Sequence, residues 1–174
     1  LSPFGFKVVK EMNKQGVMID ISHVSDAAFM KVLELSDAPV VATHSSLRHF
    51  TPGWERNVSD EMLIALAENG GVIQLCFGSD FVANRKDNPD IQVSVKNVVD
   101  HIDRVRDLVG IDHVGFGSDF DGEVPLPEDI NDVSKFPNLI EELLMRGYTE
   151  SEIDKILNGN ILRVWKEVRA LADA

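Results

Sequence analysis

Short apolar runs that alternate with helical patterns, joined by turns ending in glycine, constrain this chain more than any other feature. "VMIDIS" (17–22), "APVVATHSS" (38–46), "GVIQLCF" (71–77) and "HVGFGSD" (113–119) read as strands. Between them lie patterns that carry apolar residues at helical spacing: 6–15 with Gly16 as its stop, 26–36 behind Ser25 or Asp26, 59–69 with Ser59 as N-cap and Gly70 as stop, and 93–109. Two more, 136–147 and 150–172, close the chain. Strand, helix and short glycine turn in repetition predict parallel βαβ units. No repeat, low-complexity tract or linker divides them, so one domain over 1–174 is expected.

Four such units fit half of a (β/α)8 barrel, since the complete barrel takes eight and roughly 250 residues. A doubly wound open sheet would place a glycine-rich phosphate turn after its first strand, and "DISHVSD" has none. The start, "LSPFGFKVVKEMNKQG", lacks an initiator Met and enters a helix at once, as if cut from something longer.

Polar residues gather where the strands give out. His23 follows the first strand, His44 the second, and Asp119 with Asp121 the fourth. In a parallel barrel the C-terminal strand ends form the catalytic rim, and imidazoles with a carboxylate are the ligand set that zinc takes in hydrolytic sites. A single loop histidine is by default a surface residue or a cap; two at equivalent strand ends with an aspartate at a third change that balance. The pair His101 and Asp103 in "HID" would be a metal motif on a strand, but on a helix two residues apart they diverge by about 200°. It is therefore assigned to a solvated helix face, and His49 and His113 to surface or packing roles.

Charge excludes one class of partner: at −12, with 17 scattered Lys and Arg, the chain has no basic stripe for nucleic acid. One cysteine, Cys76, rules out an intrachain disulfide, and no apolar run suffices to span a bilayer. A soluble chain is expected, the cytoplasm favoured and export left open.

Several long segments, "PFGFKVVKEMNKQGVMIDISHVSD", "APVVATHSS", "RNVSDEML", "VGIDHVGFGSDFDG", "DVSKFPNLIEELLMRGYTESEI" and "GNILRVWKEV", together resemble the renal (membrane) dipeptidase family of the amidohydrolase-like superfamily. The resemblance covers about residues 1–168 and follows the order of that family's second half. It implies the C-terminal half of a (β/α)8 barrel and a binuclear zinc site that activates hydroxide against the peptide bond of a dipeptide. It also implies residue roles: His23 and His44 as ligands of one zinc, and Asp119 as a ligand of the other and the proton carrier. Arg56, in "ERNVSD", would hold the substrate's free carboxylate, a task suited to a planar guanidinium. The resemblance further implies a His-x-Asp pair, a bridging glutamate and a carbonyl-polarising histidine in the N-terminal half. None is found in this sequence. The chain alone is thus expected to be inactive, needing the missing half or a homo-oligomer. The alternatives are another metal hydrolase of the superfamily, or a non-catalytic half-barrel.

Overall fold

The computed structural model describes residues 1–172. Helix α1 (Pro3–Lys14) begins with Ser2, whose hydroxyl accepts from the Gly5 amide, and ends where Gly16 takes a φ of 63°. The next segment, 17–22, is extended but is not a full strand. It contributes one bridge, Asp20 to Val41, with the Ile21 amide donating to Val41 and the Val41 amide to Ile19. Two hydrogen bonds on one side are all that Val41 can offer it. The expected four-stranded sheet therefore has three strands and a bridged edge.

Helix α2 (Asp26–Leu35), capped by Ser25, leads to β1 (Val41–Ser45); α3 (Asp60–Glu68), capped by Ser59, leads to β2 (Val72–Leu75). A short helix α4 (Ser79–Val82) precedes α5 (Val95–Val109), whose start is a reciprocal box between Ser94 and Asn97. Then come β3 (Val114–Phe116), α6 (Phe136–Met145), α7 (Glu150–Asp154) and α8 (Asn160–Ala172). The sheet is parallel, in the order β1-β2-β3. Its strands are hydrophobic on both faces, as expected when helices cover a parallel sheet. Val41 and Val72 meet Val164 and Val168 of α8, whereas Ala42, Ile73 and Leu75 join the main core with Phe29, Leu63, Leu66 and Ile102. Fully burying each such large side chain contributes about 1.5–3 kcal/mol.

Two irregularities matter for the site. Between Ala42 and Ser45 the β1 register slips by one residue against Ile73 and Leu75, a bulge that breaks the normal alternation at Thr43 and His44. The long closing helix expected over 150–172 is interrupted by a π-turn at Lys155–Gly159. There Asn160, buried, donates through Nδ2 to the carbonyls of Ile111 (2.7 Å) and Val114 (2.8 Å). Arg163 does the same for Gly70 (2.8 Å) and Asp112 (3.1 Å), so α8 pins the approaches to β2 and β3. Among the described residues, no helix is long and apolar enough to cross a membrane.

Candidate metal centre at the strand ends

His23 and His44 are brought together. Their Nε2 atoms lie 2.7 Å apart, with ring centroids at 4.8 Å. The local chain explains this. Ser22, buried one residue before His23, accepts the His44 amide on its hydroxyl at 3.1 Å and so aligns the two segments. The bulge then lets the neighbouring side chains of Thr43 and His44 lie on one side, Oγ1 to Nδ1 at 2.7 Å, which regular pleating would forbid. Asp20 anchors the other end, accepting the Ser22 and Thr43 amides on Oδ1 (3.0 and 3.1 Å) and the Thr43 hydroxyl on Oδ2 (2.6 Å). Partial burial opposes ionisation of Asp20, but these hydrogen bonds outweigh it and hold the carboxyl below its ordinary range.

Arg56 joins the pair from the loop after β1. Its Nη1 donates to Ser45 Oγ (2.9 Å), its Nη2 to the His44 carbonyl (2.6 Å), and Nη2 stands 3.3 Å from His23 Nε2. The guanidinium also lies 5.6 Å from the centre of the Phe81 ring. With Nη1 and Nη2 each holding one protein acceptor, a bidentate grip on an incoming carboxylate requires the second Nη2 hydrogen, the one facing His23, to turn to the ligand. Desolvation, with the charges of Arg56 and His44, pushes the His23 pKa down against the pull of Asp20 and Asp119.

Asp119 does not form a metal-holding group with the two histidines among the described residues, although its charge acts on His23. It adopts a φ of 62°, which an aspartate tolerates, and its Oδ2 is 3.9 Å from the Cys76 sulfur. A Cβ at residue 122 would fall 2.5 Å from Asp119 Oδ1, so the glycine ending "SDFDG" makes room for this carboxylate. The Cys76 thiol, raised to about 11 chiefly by burial, stays neutral at physiological pH. Asp20, Thr43 and Cys76 were not among the expected site residues. Asp20 had a visible signal, a lone carboxylate inside an apolar run; Thr43 and Cys76 had none.

The "HID" expectation needs correction. His101 is completely buried, its Nδ1 accepting the Leu47 amide (3.0 Å) and its Nε2 3.1 Å from the Val82 carbonyl. Asp103 accepts from Tyr148 Oη and Arg146 Nη1 in a partly buried ion network. Neither is a solvated surface residue. His49 is exposed, and His113 Nδ1 lies 2.8 Å from the Gly71 carbonyl, in keeping with the roles expected.

The chemistry of the histidine pair fits a cation. Two imidazoles on one tetrahedral zinc stand about 3.3 Å apart, so these rings need to part by roughly 0.6 Å to accept it. Among the described residues, no three His, Cys, Asp or Glu side chains converge as a metal-holding group. Two such donors amount at most to part of a ligand set.

The family model described as membrane dipeptidase (Peptidase family M19) matches residues 1–174. Dipeptidase 3 of Mus musculus is 38% identical over 173 residues, covering 99% of this chain and 34% of its own length. The probable dipeptidase PvdM from Pseudomonas aeruginosa superposes with a TM-score of 0.91 at 30% identity, over 99% of this chain and 55% of that one. A metallo peptidase from Rhodobacter sphaeroides, liganded with a phosphinate mimic of the dipeptide L-Ala-D-Ala, gives 0.88 at 34% identity, over 97% and 47%. The chain therefore spans about a third of the curated relative and about half of these two structures. Sequence and fold agree along essentially its whole length, and the chain belongs to the membrane dipeptidase family.

Proposed function

We propose that this chain forms the C-terminal half of a (β/α)8 barrel in a zinc-dependent dipeptidase, where His23 and His44 hold one of two metals. The convergence of their Nε2 atoms at a strand-end rim carries this reading. A metal there would polarise the peptide carbonyl and make water nucleophilic at neutral pH. Arg56, tethered to Ser45 and the His44 carbonyl, would orient a substrate by its terminal carboxylate and so restrict the site to short peptides. Asp119 would ligate the second metal, take the proton of the attacking water and hand it to the leaving amine, yielding two amino acids. The dipeptide-mimic ligand of the Rhodobacter sphaeroides relative supports that substrate class. The remaining ligands would come from a complementary half, which is why too few converge within residues 1–172.

Calorimetric titration of the completed barrel with zinc tests the metal assignment. His23→Ala and His44→Ala are each expected to remove one bound equivalent while leaving the fold intact, because the rim is not the packed core. Unchanged stoichiometry in both variants would refute it. For Arg56, Lys keeps the charge but loses the planar fork. In the completed barrel, Arg56→Lys is expected to weaken free-acid dipeptides by about 1–3 kcal/mol and amidated ones less. Equal losses on both substrates would assign Arg56 another task.

A further inference from the structure

Behind His44 lies a hydrogen-bond chain whose direction can be worked out atom by atom. Oδ1 of Asp20 takes two backbone amides, and Oδ2 faces the Thr43 hydroxyl at 2.6 Å. A carboxylate only accepts, so the single hydroxyl proton of Thr43 goes to Asp20. The competing outlet, Ser22 Oγ, is at 3.4 Å and already accepts the His44 amide. The Thr43 oxygen then has only lone pairs for His44 Nδ1 at 2.7 Å, which must therefore carry the imidazole hydrogen. His44 Nε2 is left with its lone pair directed at His23, whose Nε2 carries the hydrogen between the rings, so the 3.3 Å approach of Arg56 Nη2 to that nitrogen is not a hydrogen bond.

We propose that Asp20 and Thr43 are positioning residues: they lock His44 in its Nδ1–H tautomer and thereby present Nε2 as a metal ligand. The relay rests on the reading of His44 as a ligand only for its consequence; the tautomer itself is a property of the metal-free chain. It places a threonine between the carboxylate and the histidine, where ligand histidines are commonly oriented by direct contact with a carboxylate or carbonyl. The bulge makes this possible by bringing adjacent side chains to one side.

Asp20→Asn supplies a sharp test because the two backbone amides hold the amide oxygen at the Oδ1 position. The NH2 group must then take the place of Oδ2 and donate to Thr43. The hydroxyl, now accepting, would send its proton to His44 Nδ1 and switch the ring to the Nε2–H form. Long-range nitrogen NMR of the metal-free chain reads the tautomer directly: Nδ1–H is expected in the unaltered chain and in Thr43→Ser, and Nε2–H in Asp20→Asn. Competition with a chelator is expected to show zinc affinity weakened 10–100-fold in Asp20→Asn and Thr43→Val, and retained in Thr43→Ser. An Nε2–H ring in the unaltered chain, or no switch in a folded Asp20→Asn, overturns the relay. Since that readout needs no metal, failure of the zinc assignment would show separately, as unaltered zinc binding in His44→Ala.

Discussion

His101 ties a loop to helix α4 with one ring, accepting from Leu47 in the segment that leads to Arg56 and reaching Val82 beside Phe81. Protonation would set a donor against the Leu47 amide. Burial, with repulsion from His49, pulls its pKa down to about 4, against the pull of the Val82 carbonyl. The unfolded chain takes up this proton near pH 6.5. Folding therefore gains its full benefit from the neutral ring above about pH 6.5, and loses on the order of 3 kcal/mol as pH falls toward about 4. Urea unfolding across that window is expected to show this slope, and His101→Gln to remove most of it. A residual slope from His23, whose pKa is also lowered, would remain, while carboxylates such as Asp20 and Asp26 enter only at lower pH. An undiminished slope in the variant would assign the effect elsewhere. The burial of His101 was legible in principle: it shares a helix face with Val98, Ile102 and Val105. The rim histidines were easier to find, because polar residues interrupt apolar strands in plain view.

At the scale of elements, caps and stops read directly from sequence because they are local: Ser25, Ser59, Gly16 and Gly70 do what their positions predict. The bulge does not, since it exists only as a mismatch between the count of residues on β1 and on β2. Nor does the π-turn, beside which Asn160 is held by carbonyls of a distant segment. Gly117 shows how the bulge is accommodated. A Cβ there would collide with the carbonyl of Thr43, with that of Gln74 only 2.7 Å away. These are backbone atoms, which cannot swing aside. Gly117→Ala is expected to destabilise the chain by about 3 kcal/mol in urea and to weaken zinc binding, because the displaced carbonyl belongs to the residue that orients His44. A loss below about 0.5 kcal/mol would show that the strand ends yield more easily than this packing implies.

For the whole molecule, the parallel α/β class is legible from alternation alone, whereas the ligand set proposed for the histidine pair needs more donors than the two that converge among the described residues. The three-stranded sheet is open at β3 and carries only a bridge at β1, and Phe4, Val133 and Met145 are each more than two-thirds exposed. Such edges and apolar surface favour pairing. Residues 1–174 are expected to run as a dimer or larger species in light scattering and to show no dipeptide turnover with added zinc; co-expression with an N-terminal half should restore it. A monodisperse monomer that cleaves dipeptides would overturn the half-barrel reading. The pins from α8 have a consequence for biosynthesis. Asn160 and Arg163 satisfy four carbonyls of segments made 46 to 93 residues earlier. On the ribosome, β2 and β3 emerge with those acceptors still facing water. The nascent sheet thus stays open at its base until α8 has emerged, and chaperones that shield unfinished chains have their longest opportunity there.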